Sequence, residues 1–233
     1  MTFRLTLLLL LYLFALAALL FALPIIWLFG AGEALICVGR GAMGASRRVL
    51  GLKVEVRGRE HLDPAGPAVF MPNHQSFLDG PLVFLLVPRP LRVIVKQSVF
   101  RVPVLGQGMR VAGFVPVDRK GVRTGRAAIE RAARAMKRRG HSFLVFPEGT
   151  RTRTGRLQEF RRGGFFLAAA AGAPIIPVSI QGTFALMPKG RVVPRRGPIR
   201  VTFHPPVPAA GAGPDEVGTL VARVRDEILA GLA

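Results

Sequence analysis

The chain has 233 residues, half of them hydrophobic, with a mean hydropathy of +0.39 and a formal charge of +20 from 33 Lys+Arg against 13 Asp+Glu. That length suits one domain with an appendage, and the charge favours a polyanion or an anionic membrane surface as partner. The single cysteine, Cys37, excludes an intrachain disulfide; His61, His74, His141 and His204 stand apart without zinc spacing, and no dinucleotide or Walker pattern is present, so neither a metal nor a cofactor is expected. Without an aromatic stacking stripe or a recognition helix, the positive charge does not point to a specific nucleic acid.

Residues 5–29 form an almost unbroken apolar segment, interrupted by Thr6 and Pro24, with Tyr12 and Trp27 towards its ends. Spanning a bilayer takes about 20 apolar residues, and a signal-peptide core only about 7 to 15. The run is too long for the second and no small-residue cleavage site follows, so a retained anchor is expected. Pro24 leaves both a full crossing and a hairpin dipping into one leaflet open. Leu35, Ile36, Val38, Met43, Val49 and Leu50 then alternate with Arg40, Arg47 and Arg48, as in a basic amphipathic helix at a membrane interface, although Gly39, Gly41 and Gly44 also suit a linker. Residues 1–50 are thus expected to be anchor and interfacial helix, and residues 51–233 the main domain. The positive charge after the anchor places that domain on the cytoplasmic face, at a bacterial inner membrane.

Strand-like runs follow at Lys53–Arg57, Ala68–Met71, Leu91–Val95, Gly113–Val117, Ser142–Phe146, Ile175–Ile180 and Ile199–Phe203. Helix-like segments lie at Val122–Arg139, Arg161–Ala171 and Pro214–Ala230. Strand and helix in alternation predict an α/β fold with a largely parallel central sheet flanked by helices. Active groups of such sheets gather at the carboxyl ends of strands. His74 and Asp79 follow the second run, Arg119 the fourth, and Glu148-Gly149-Thr150-Arg151 the fifth. Three strand ends therefore deliver a histidine, two carboxylates, two arginines and a glycine turn.

These blocks resemble the glycerophospholipid acyltransferase family. Asn73-His74 through Asp79 is similar to its histidine, four residues, aspartate signature, and Gly113-Phe114-Val115-Pro116-Val117-Asp118-Arg119 to its second block. Phe146-Pro147-Glu148-Gly149-Thr150-Arg151 is similar to the third and Ile176-Pro177-Val178 to the fourth. The resemblance implies attachment to a membrane surface and an acyl-thioester donor, acyl-CoA or acyl-carrier protein.

Acyl transfer to an alcohol needs a base for the hydroxyl, donors for the oxyanion and cations for a phosphorylated acceptor. His74 is the expected base and Asp79 its orienting partner; Arg119 and Arg151 are expected to grip a phosphate, with Glu148, Gly149 and Thr150 shaping the pocket. Glu148 also fits a structural role, closing the turn by accepting backbone hydrogen bonds. Ser76 offers a covalent alternative. Lys96 opens a stretch similar to a family region near the donor, but Ser98 stands where a glutamate is frequent. The expected reaction moves a fatty acyl group to lysophosphatidic acid, giving phosphatidic acid. Another lysolipid acceptor such as a lyso-aminolipid is the alternative, and a non-catalytic membrane phospholipid-binding protein is the alternative of another class.

Overall fold

The computed structural model describes residues 32–62, 66–102, 105–118, 122–213 and 215–233, together with Thr6, Leu10 and Leu13. Most of the expected anchor and Arg119 lie outside the described residues. Among the described residues no helix is long and apolar enough to cross a membrane.

Among the described residues α-helices and strands follow one another as α1 (Gly32–Leu50), β1 (Lys53–Arg57), β2 (Val69–Pro72), α2 (Asp79–Leu86), β3 (Leu91–Lys96), α3 (Leu105–Val111), β4 (Val115–Val117), α4 (Val122–Arg139), β5 (Ser142–Leu144), α5 (Gly163–Ala171), β6 (Ile175–Gln181), α6 (Thr183–Leu186), β7 (Pro198–Phe203) and α7 (Val217–Ala230). The seven strands form one sheet in the order β1-β7-β6-β2-β5-β3-β4. Of these strand pairs, β6–β7 is antiparallel and the others are parallel. The expected α/β architecture is therefore present.

The two-residue side-chain period of a strand explains how β2 serves both faces. Phe70 enters one core with Leu82, Val83 and Phe84 of α2 and Ile36 of α1, while Val69 and Met71 enter the other with Ala132 and Met136 of α4, Phe165 of α5 and Val224 of α7. Helices on both faces bury every residue of β2, which is why the strand reads as a continuous apolar run rather than an alternating one. The amphipathic helix expected before the domain is α1, and Leu35, Ile36, Met43 and Leu50 pack on the core while Val38 stays exposed.

The boundaries differ from the sequence expectation where backbone groups find other partners. β4 begins at Val115 rather than Gly113, because the Gly113 and Phe114 N–H groups close the end of α3 on Arg110 and Met109 carbonyls. β5 ends at Leu144; beyond it Pro147 has no N–H to give a ladder, and the chain turns towards the site. α7 starts at Val217, where Glu216 accepts from the Gly213 N–H.

Candidate active site

The central strand β2 delivers the site through an asparagine that imitates a peptide unit. Asn73 Oδ1 accepts from the Ile180 N–H at 2.7 Å and its Nδ2 donates to the Ile180 carbonyl at 3.0 Å. The side chain prolongs the β2–β6 ladder, so the main chain is free to turn at His74. That residue is then fixed from both sides by the loop after β5: its N–H donates to Glu148 Oε1 at 2.5 Å, and its carbonyl accepts from the Thr152 N–H at 2.9 Å.

His74 Nδ1 lies 3.0 Å from Asp79 Oδ2. The same oxygen accepts the Gln75 and Ser76 N–H groups, each at 2.7 Å. It is thus an acceptor, so Nδ1 donates and the lone pair of the neutral ring is on Nε2. Asp79 is fully buried at the first turn of α2, where the helix dipole favours a negative charge. Phe146 stacks on the imidazole with centroids 3.8 Å apart and 22° between the planes. Hydrogen bond, stacking and two backbone ties hold one ring orientation, and 18 % of the histidine side chain stays open to solvent. With Nδ1 committed to Asp79, Nε2 is the ring nitrogen left to exchange a proton.

Glu148 is buried, and both its oxygens are engaged. Oε1 takes the His74 N–H, and Oε2 takes the Gln158 N–H and Nε2, each at 3.0 Å. It joins the histidine loop to the basic 151–162 loop. Gly149 has φ +73°, a left-handed turn that favours glycine, and the Arg161 side chain packs against it. Thr150 is exposed, with its carbonyl accepting from Gln158 Nε2. Arg151 lies over the ring of Phe77, 5.7 Å from its centroid, beside the histidine loop. Ser76 is fully buried; its Oγ donates to the Met187 carbonyl at 2.8 Å and accepts from the Leu78 N–H at 3.2 Å. A hydroxyl so committed is not placed as a nucleophile. Lys96 is exposed at the carboxyl end of β3, two strands away from β2.

A cavity of about 430 Å³ adjoins the site, lined by Gln75, Arg156, Leu157, Gln181, Arg225 and Leu229 among others. Among the described residues no cluster of three or more His, Cys, Asp or Glu could hold a metal. The residues that sequence reasoning missed are the supports: Asn73, Phe146, Thr152 and Gln158. Phe146 and Asn73 stand inside the recognised blocks, so the signal was there, but their roles depend on which strands are neighbours.

Fold and site together define an α/β domain carrying a histidine–carboxylate pair at the carboxyl end of its central parallel strand. A family profile described as Acyltransferase matches residues 53–181, more than half of the chain, and the chain belongs to that family. It is 36% identical over 157 residues to the chloroplastic 1-acyl-sn-glycerol-3-phosphate acyltransferase BAT2 of Brassica napus, covering 66% of this chain and 45% of that protein. Against the Homo sapiens 1-acyl-sn-glycerol-3-phosphate acyltransferase alpha it is 35% identical over 181 residues, covering 77% of this chain and 63% of that one. The match therefore spans less than half the length of the plant relative. The crystal structure of the 1-acyl-sn-glycerophosphate (LPA) acyltransferase PlsC from Thermotoga maritima superimposes with a TM-score of 0.78 at 28% identity, covering 98% of this chain and 94% of that one.

Proposed function

We propose that the chain transfers a fatty acyl group from a thioester, acyl-CoA or acyl-carrier protein, to the free hydroxyl of 1-acylglycerol-3-phosphate, giving phosphatidic acid. The observation that carries this reading is the 3.0 Å bond from His74 Nδ1 to the buried Asp79, which leaves Nε2 to act as base. Relatives named for that reaction support the choice of acceptor.

In the proposed step Nε2 takes the hydroxyl proton as the acceptor oxygen attacks the thioester carbonyl. The imidazolium is stabilised by Asp79, whose charge lies in the low-dielectric interior. Collapse of the tetrahedral intermediate breaks the carbon–sulfur bond, and the departing thiolate recovers the proton from His74. Arg151 and Arg119 hold the acceptor phosphate, since a guanidinium fork can make two charge-assisted hydrogen bonds. No ion pair of Arg151 to a carboxylate is present among the described residues, so its charge is available. The apolar residues 5–29 keep the domain at a membrane surface, where lysolipid is met.

The test is thiol release from acyl-CoA by the purified full chain, with lipid products separated by chromatography. Release is expected only with acceptor present, to be strongest with lysophosphatidic acid, and to fall in Arg119→Ala. Equal transfer to a phosphate-free lysolipid, unaffected by that substitution, would contradict the acceptor assignment.

A further inference from the structure

At the mouth of the site the chain builds an exposed basic turn that the reaction itself does not use. Residues 187–197 are tied at both ends, the Met187 carbonyl by Ser76 Oγ at 2.8 Å and the Arg195 N–H by the Leu186 carbonyl at 2.9 Å. A further bond from the Arg191 N–H to the Pro188 carbonyl, at 3.0 Å, closes the turn. The structure thus holds this segment out instead of folding its apolar residues inward. Its tip is Val192, 83 % exposed, the most exposed of the large hydrophobic residues among those described. Lys189, Arg191, Arg195 and Arg196 around it are all exposed.

Ser76 also connects this turn to the next residue, Phe77, whose side is 64 % exposed and carries Arg151 over its ring. On the other flank, Arg196 Nε reaches within 3.6 Å of where a Cβ of Gly51 would stand, next to the last turn of α1 with its Arg47 and Arg48. From Phe160 to Pro214 the sequence contains no Asp or Glu. Glu55, the nearby carboxylate on β1, is engaged by Arg57 and Arg200, so two solvent-facing apolar side chains among these cations have the composition of an interfacial lipid contact, in which cations meet phosphates and apolar tips enter the headgroup boundary.

We propose that the 187–197 turn and Phe77 dock the mouth of the site onto an anionic lipid leaflet, separately from the N-terminal apolar segment. The proposal rests on the acyltransferase reading and deepens it. It assigns the end of the sheet that faces the membrane, the end where β2 and β6 finish, so that a lysolipid hydroxyl emerges beside His74 without leaving the interface. Each Lys or Arg near an anionic surface strengthens binding about five-fold, so removing two should weaken docking roughly 25-fold.

The experiment uses the full chain with Cys37→Ser and a single new cysteine, Val192→Cys, carrying an environment-sensitive fluorophore. A control places the probe by Arg138→Cys, exposed at the end of α4 near the opposite end of the sheet. On phosphatidylcholine vesicles containing phosphatidylglycerol, the probe at 192 should shift to the blue and be quenched by brominated acyl chains, whereas the probe at 138 should not. Arg191→Ala with Arg195→Ala should lower transfer on those vesicles by roughly the 25-fold expected of two charges, while transfer in detergent micelles is retained. A probe at 192 that stays in water on vesicles that have bound the protein would overturn the docking, as would a shift produced by acyl-carrier protein and not by vesicles. Absence of transfer in micelles by the unsubstituted chain would overturn the proposed activity instead, so the two failures are distinct.

Discussion

All four histidines lie within 4 Å of a carboxylate, and the comparison of two of them, His204 and His74, shows what arrangement adds to residue identity. His204, just beyond β7, has Nε2 2.8 Å from Ser179 Oγ and Nδ1 3.6 Å from Glu227 Oε2, so its residue types are those of a serine–histidine–acid triad. But Ser179 is 1 % exposed and donates its hydroxyl proton to the Ile228 carbonyl at 2.8 Å, so the imidazole Nε2 must bring its own proton to that oxygen. A nitrogen already protonated towards the serine cannot serve as its base. Gly231 closes the cluster: a Cβ there would lie 2.4 Å from Ser179 Oγ. At His74 the proton sits on the carboxylate side and Nε2 is left to accept another. Hydrogen-bond direction and access, more than residue identity, separate a structural latch between α7 and the sheet from a candidate base.

That contrast can be broken by substitution. The largest expected effect is Asp79→Asn, which removes the charge that fixes the His74 tautomer and stabilises its imidazolium; turnover should fall by roughly 10²- to 10⁴-fold, with the binding of acceptor little changed. Glu227→Gln, by the same logic, should leave turnover near that of the unsubstituted chain. Next, Arg151→Ala should raise the KM for a phosphorylated acceptor by about 10- to 100-fold, the worth of a charge-assisted hydrogen bond of about 1.5–3 kcal/mol. Ser76→Ala and Ser179→Ala should each retain acyl transfer while lowering unfolding stability by about 1 kcal/mol per lost hydrogen bond, read by denaturant melts. Loss of transfer in Ser76→Ala with intact stability would favour the covalent route.

The smallest effect concerns pH. Burial pushes His204 below the ordinary histidine value of 6.5, and does the same to His141, where Arg92 adds to the shift. Both are therefore neutral in the folded state at a pH where the unfolded chain would protonate them. The stability this represents is complete above about 6.5 and is lost as pH falls from there towards the depressed folded values. Melting temperatures should decline over that acid window, and His204→Gln should flatten part of the decline.

The sequence made the sheet legible because a parallel sheet covered on both faces needs unbroken apolar strands, and all seven runs became strands. Helices governed by tertiary packing were harder to see. α2, Asp79–Leu86, is apolar all round and so shows no 3.6-residue period, and α3 carries two glycines. At the site, His74 and Asp79 were legible because five positions of chain bring them together. The Asn73 clamp spans 107 residues and the Glu148 tie 74, distances that only strand order can fold together. For Glu148, the structural role that its turn suggested accounts for both of its oxygens.

The central claim, that His74 is the base, is tested most directly by acceptor-dependent thiol release from acyl-CoA by His74→Ala and His204→Gln measured side by side, with folding checked by circular dichroism. The account predicts a loss of about 10²- to 10⁴-fold in the first and near-normal turnover in the second. Full activity in His74→Ala, or an equal loss in both variants while each remains folded, would contradict it.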